Sequence, residues 1–140
     1  MGRQREQICV VGFGCCTAVG NDAPSTMAAV RAGIAGFHEH PFMISQDGEP
    51  YILAMSPAVD PALFGKDRMA ALALPAAQEA CRALEAVLKE RTQLPLRVGL
   101  PEHRPGVDAG VEREVVERLI QGLAGVADVD ASDRRGHGGV

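Results

Sequence analysis

The longest periodic stretch of the chain runs from about Asp67 to Arg91 and repeats Met69, Leu72, Ala76, Ala80, Leu84 and Leu88 at helical spacing. It is rich in Ala and Leu, both strong helix formers. So many small side chains allow neighbours to approach this helix from several sides. A helix of this kind is a structural centre, and the remaining elements must supply what packs on it. Pro75 lies inside the pattern. Proline removes a backbone donor and clashes with the preceding turn, which predicts a kink or a restart there.

The flanking segments supply candidate strands and shorter helices. Ile8-Cys9-Val10-Val11 is a β-branched apolar run ending at Gly12 and reads as a buried strand. Asn21-Asp22-Ala23-Pro24 is a helix-start signal, followed by Met27, Val30 and Ile34 at helical spacing. Gly33 and Gly36 predict that this helix stops near residue 32. Phe42-Met43-Ile44 and Tyr51-Ile52-Leu53 flank an Asp47-Gly48 pair, which predicts a hairpin. Leu96 to Leu100 reads as a strand. Val111, Val115, Leu119 and Leu123 line one face of an amphipathic helix, and Val126 to Val129 reads as a last short strand. This alternation predicts an α/β layered domain over residues 1–132. Residues 133–140 read as a flexible Gly-rich end.

Charge and composition exclude several classes. Net charge is −4 and aromatics are 4% of the 140 residues. A nucleic-acid surface would be basic, and a single-strand platform would need more rings to stack on. No apolar run reaches the length of a membrane span. The apolar run after Met1 to Gln7 is too short for a signal-peptide core, so the expected address is the cytoplasm. Cys9, Cys15, Cys16 and Cys81 then read as reduced thiols, with no C-x-x-C pair among them.

Candidate chemistry is sparse. Gly12-Phe13-Gly14 after a strand suggests a dinucleotide loop, but Thr17 stands where that fingerprint needs a third Gly. The two glycines read instead as a site of tight backbone packing. A catalytic role for Cys15 or Cys16 would need a cationic neighbour or a helix N-terminus to lower the thiol pKa, and the nearby sequence offers no Lys, Arg or His. His38 and His40 share one face of an extended chain, yet two ligands do not close a zinc site, and His103 and His137 lie far off in sequence. Arg134 and Arg135 beside the final glycines could cradle an anion; a floppy end explains them more simply. The expectation is no metal, no cofactor and no active site from these residues alone.

One family resembles the whole pattern. Val10-Val11-Gly12-Phe13-Gly14 followed by Thr17-Ala18-Val19-Gly20-Asn21-Asp22 is similar to the opening of β-ketoacyl synthases, V-V-V-T-G-x-G then T-P-x-G-x-x. Arg31 to Gly36 resembles their L-x-x-G-x-S-G-I. Asp67-Arg68-Met69 with Ala76-Ala77-Gln78-Glu79-Ala80 resembles their R-x-x-x-L-A-L-x-A-A-x-E-A helix, and Arg97-Val98-Gly99-Leu100 their R-V-G-V strand. The landmarks span about residues 8 to 100. The resemblance implies the N-terminal half of the five-layer thiolase fold, a mixed sheet with helices packed on it. It also implies an ancestry in acyltransfer, the condensation step of fatty-acid or polyketide synthesis. In that family a Cys within T-A-C-A-S-G takes the acyl group. Aligning the family Gly on Gly136 puts Asp133 at the nucleophile position, and no Cys follows Cys81. A carboxylate there cannot form the acyl thioester. The two basic partners, His-His or His-Asn, belong to a C-terminal half that this sequence does not contain. The chain alone is therefore expected to be inactive, as a truncated ketosynthase-like piece or as an interaction module of the same fold. A lone half would leave an apolar sheet face open. That implies association with itself or with a ketosynthase-like partner chain, with an acyl carrier protein as a further partner, and with neither nucleic acid nor membrane.

Overall fold

The computed structural model describes residues 8–85, 87, 93–99, 111–124 and 128–130. Among these residues, three helices, α1 (Ala23–Arg31), α2 (Gly65–Glu85) and α3 (Val111–Leu123), alternate with four strands. β1 (Phe37–Ile44) pairs antiparallel with β2 (Pro50–Ala54), and β3 (Gln93–Pro95) pairs parallel with β4 (Asp128–Asp130). The chain is mixed α/β, as its alternation predicts, and among the described residues these strands pair as two two-stranded ribbons.

The main core lies between α2 and α3. Val115, Leu119 and Leu123 recur every four residues on one face of α3, and all are buried, Leu123 to 1% exposure. Each such aliphatic side chain contributes roughly 2 kcal/mol by leaving water. Gly122 allows a close approach, since a Cβ there would lie 2.4 Å from Leu74 Cδ1, and Gln78 Nε2 donates to the Gly122 carbonyl at 3.0 Å. Charges rim one end of the pair. Lys66 reaches Glu114 at 2.5 Å, and Arg118 bridges Asp67 at 2.6 Å and Glu114 at 2.9 Å. The Lys66 hydrogen bond, with help from Arg118, holds the Glu114 carboxyl below the usual carboxylate range. Single exposed pairs contribute little. Here one network ties the start of α2 to α3. The predicted restart at Pro75 does not occur, because α2 runs through it with Pro75 on an exposed side.

α1 is closed at both ends by local chemistry. Asp22 accepts from the Ser25 amide at 2.7 Å while Ser25 Oγ accepts from the Asp22 amide at 3.3 Å, a reciprocal capping box. At the other end Gly33 adopts φ 69°, Ile34 N donates to Ala29 O and Gly33 N to Val30 O. This is a Schellman closure, and it needs a residue that tolerates the left-handed region. The helix ends at Arg31, next to the stop that Gly33 predicts.

Two predicted strands take other forms. Leu96 to Gly99 makes no ladder; the pairing falls on β3 just before it. Ile8 to Gly14 also joins no sheet. A Cβ on Gly12 would lie 2.4 Å from the Ala80 carbonyl oxygen, and one on Gly14 would lie 2.1 Å from that of Ala76. Two residues of this segment therefore match four residues of α2. Four helical residues advance about 6 Å and two strand residues about 6.6 Å. The segment is thus extended and runs antiparallel to α2 in backbone contact. Among the described residues, the N–H and C=O groups of residues 8–14 have no hydrogen-bond partner.

Gly14→Ala should therefore lower stability by about 1–3 kcal/mol, as overpacking does. Gly99→Ala, with no described residue within 4 Å of the added carbon, should stay within about 0.5 kcal/mol of the parent. Urea unfolding monitored by circular dichroism checks both.

Candidate functional site

The turn after the Gly12–Gly14 contact brings together Cys15, Cys16, Thr17, Thr26, Ser56 and Glu79, all buried or half-buried. Glu79, one helical turn beyond Ala76 on α2, is the hub. Its carboxylate accepts from the Cys15 amide at 3.1 Å and from the Ala23 amide at 2.9 and 3.1 Å. Ala23 is the first residue of α1 and is 2% exposed. Its amide is one of the orphan donors of a helix start, and a carboxylate from another helix satisfies it. The negative charge also faces the positive end of the α1 dipole.

Cys16 and Thr17 continue the turn. Cys16 Sγ lies 3.3 Å from Oγ of the buried Ser56, which also accepts from the Ala58 amide at 3.3 Å. Thr17 Oγ1 lies 3.0 Å from Thr26 Oγ1 and accepts from the Val19 amide at 3.3 Å. The Thr17 and Gly20 backbones bridge at 2.8 Å. Each of these bonds fixes the path of the chain between the extended segment and α1. No buried side-chain nitrogen or oxygen among the described residues lacks a partner.

The arrangement organises backbone and supplies no catalytic pair. Among the described residues no imidazole, amine or guanidinium hydrogen-bonds Cys15 or Cys16. Burial pushes the Cys81 thiol up, away from the reactive thiolate. All four cysteines are free. The faces of Gly12 and Gly14 are filled by α2, where a dinucleotide loop would present them to a pyrophosphate.

The histidines part company. His40 Nδ1 accepts from the Phe42 amide at 3.2 Å and the Met43 amide at 3.0 Å. It thereby satisfies donors where the β1–β2 register breaks between Glu39 and Ile44. His38 lines a different cavity of about 550 Å³ with Asn21, Asp22 and Ser25. His40 lines a separate cavity with Leu53, the cross-strand partner of His38. Among the described residues no group of three His, Cys, Asp or Glu is placed to hold a metal. His103, Asp133, Arg134, Arg135 and His137, and the end at 133–140, lie outside the described residues. No described helix is long and apolar enough to cross a membrane.

Sequence reasoning alone placed Glu79 only inside a resemblance, without a role. Its signal was a polar Gln78-Glu79 pair interrupting an Ala-rich helix. Ser56 carried no signal, since its importance comes from its burial against Cys16. Comparison with family models, with curated proteins and with solved structures found no match to this chain.

Glu79→Ala should cost about 2 kcal/mol, the range for hydrogen bonds to a charged group, with Glu79→Gln costing less because it keeps an acceptor. Amide exchange at Cys15 and Ala23 should quicken in the alanine variant.

The carboxylates also set an acid limit. Hydrogen bonds from the Ser25 side chain and then its backbone hold Asp22 below its usual value, as Lys66 and Arg118 do Glu114. A group depressed on folding stabilises the native state at neutral pH, and this is lost as pH falls through and below the carboxylate range. The urea midpoint should drop as pH is lowered from neutral, and Asp22→Asn should flatten part of that slope.

Proposed function

We propose that this chain is a β-ketoacyl-synthase-like N-terminal half-domain of the thiolase type, without condensing activity of its own. One contact carries the reading. Gly12 and Gly14 lie against Ala76 and Ala80, so the first strand and the long helix of the sequence resemblance meet in space. Glu79, in the acidic position of the A-A-x-E-A pattern, holds the turn that leads from that segment into α1. Two of the landmarks, the opening run and the long helix, thus meet as one structural unit, which scattered matches have no reason to do.

The role that fits is a non-catalytic part of an acyl-chain system located in the cytoplasm, completed by another copy or by a ketosynthase-like partner, with an acyl carrier protein as a further partner. Asp133 at the aligned nucleophile position removes the thioester-forming step, and the remaining cysteines lack an activating base among the described residues. The exposed apolar hairpin favours a second reading, an interaction or scaffold module that kept the fold and lost the chemistry. Phe37, Ile44 and Ile52 are all more than half exposed.

Intact-mass measurement after incubation with a fatty acyl thioester tests the inactive assignment. The expected mass is unchanged. An acyl adduct on Cys9, Cys15, Cys16 or Cys81 overturns it. Retention of an acyl carrier protein on the immobilised chain would favour the acyl-system reading over the general interaction module.

A further inference from the structure

Within the β1–β2 hairpin, Glu39 pairs with Ile52 and Ile44 with Pro50, so residues 40–43 stand opposite Tyr51 alone. Residues bulged out of a ladder need other partners for their backbone groups. Pro41 has no N–H to satisfy. The amides of Phe42 and Met43 do, and both donate to Nδ1 of His40, at 3.2 and 3.0 Å. One side-chain nitrogen thus serves two donors of the bulge.

That nitrogen accepts only while the ring is neutral and carries its proton on Nε2. An imidazolium has an N–H on both nitrogens, and its Nδ1–H would face two N–H donors. Imidazole is the side chain whose ordinary change of charge falls between about pH 5 and 8. The bulge therefore binds one proton fewer than its opened form, and it is lost as pH falls through the imidazole range.

Nothing on the same cavity compensates an imidazolium. His40 lines it with Phe42, Met43, Leu53 and Arg68, and no carboxylate is on that lining. Arg68, from the first turn of α2, adds a like charge. Tyr51 is the titratable group of β2 opposite the bulge. On β1, Glu39 alternates to the other face, and His38 lines a different cavity. The two residues held by Nδ1 are themselves part of the cavity wall. The Phe42 ring also meets the imidazole edge to face, with centroids 6.1 Å apart.

We propose that His40 is a pH-operated latch: its neutral ring holds the Phe42 and Met43 amides in the bulge, and protonation releases both and reshapes the apolar cavity that these side chains line. The latch stands on the hydrogen bonds of β1 and not on the ketosynthase reading, so either can fail without the other.

Nuclear magnetic resonance on the full chain tests it, following the His40 ring and the Phe42 and Met43 amides from about pH 8 to about pH 5. Both amide signals should shift in step with the His40 ring. Their protection from hydrogen exchange, corrected for the intrinsic rate, should fall about tenfold, as loss of a hydrogen bond implies. His40→Asn places a carbonyl oxygen that does not titrate where Nδ1 stood, and both amides should then stay protected throughout. His38→Asn removes the neighbouring imidazole and should leave the parent response intact. Circular dichroism checks that each variant is folded. Parent amides indifferent to the His40 titration overturn the latch, as does a His40 ring that stays neutral down to about pH 5. A response that persists in His40→Asn overturns it too. Should that variant fail to fold, the parent and His38→Asn decide by the first two outcomes.

Discussion

Backbone contact between Gly12–Gly14 and α2 is the constraint on which the rest of this structure depends. At 2.1 Å from the Ala76 carbonyl there is no room for any Cβ at position 14. That proximity lets Glu79, on the same helix, reach the Cys15 amide and the first amide of α1 together. α1 is then pinned at its N-terminus from outside, in addition to its own capping box. The path from extended segment to turn to helix is thereby set by one helix surface and one carboxylate.

α2 is also the shared wall of the structure. One side receives the extended glycine segment, and another packs on α3 through Leu74, Gln78 and the buried aliphatic row of α3. The first contact is made by the backbone carbonyls of Ala76 and Ala80 and the Cβ atoms of Glu79 and Ala83, which leave the glycines no room for a side chain. The charged first turn serves the second. Lys66 and Asp67 are engaged by α3, while Arg68, one residue on, points to the cavity below the hairpin.

Polar satisfaction and apolar exposure are unevenly distributed. Around Cys16, Thr17, Ser56 and Glu79 the polar atoms are matched. The extended segment and the hairpin show the reverse, with Ile8 at 98% and Val10 at 86% exposure and, among the described residues, no backbone partner for residues 8–14. Unpaired strand edges and open apolar faces are surfaces that proteins ordinarily cover. The local chemistry of this chain is settled, and much of its apolar surface remains available to a partner.

Much of this was legible in the sequence, for a physical reason. Capping signals, helical periodicity and turn residues act over a few neighbours, so Asp22-Ala23-Pro24, Gly33, Asp47-Gly48 and the row from Val111 to Leu123 announced α1, its stop, the hairpin and α3. Strand-like composition at Ile8 to Val11 announced an extended chain for the same reason. Pairing did not follow, because a ladder needs a second strand brought close by the rest of the fold. The same limit separated Leu96–Gly99 from β3 and hid the role of His40, whose Nδ1 accepts from the Phe42 and Met43 amides. The meeting of Glu79 with Cys15 and Ala23 spans 64 and 56 residues. No local pattern encodes such a contact. The sequence by itself determined which segments are helical, extended or turned; the tertiary structure decided which of them touch, since that depends on distances closed only when the whole chain is packed.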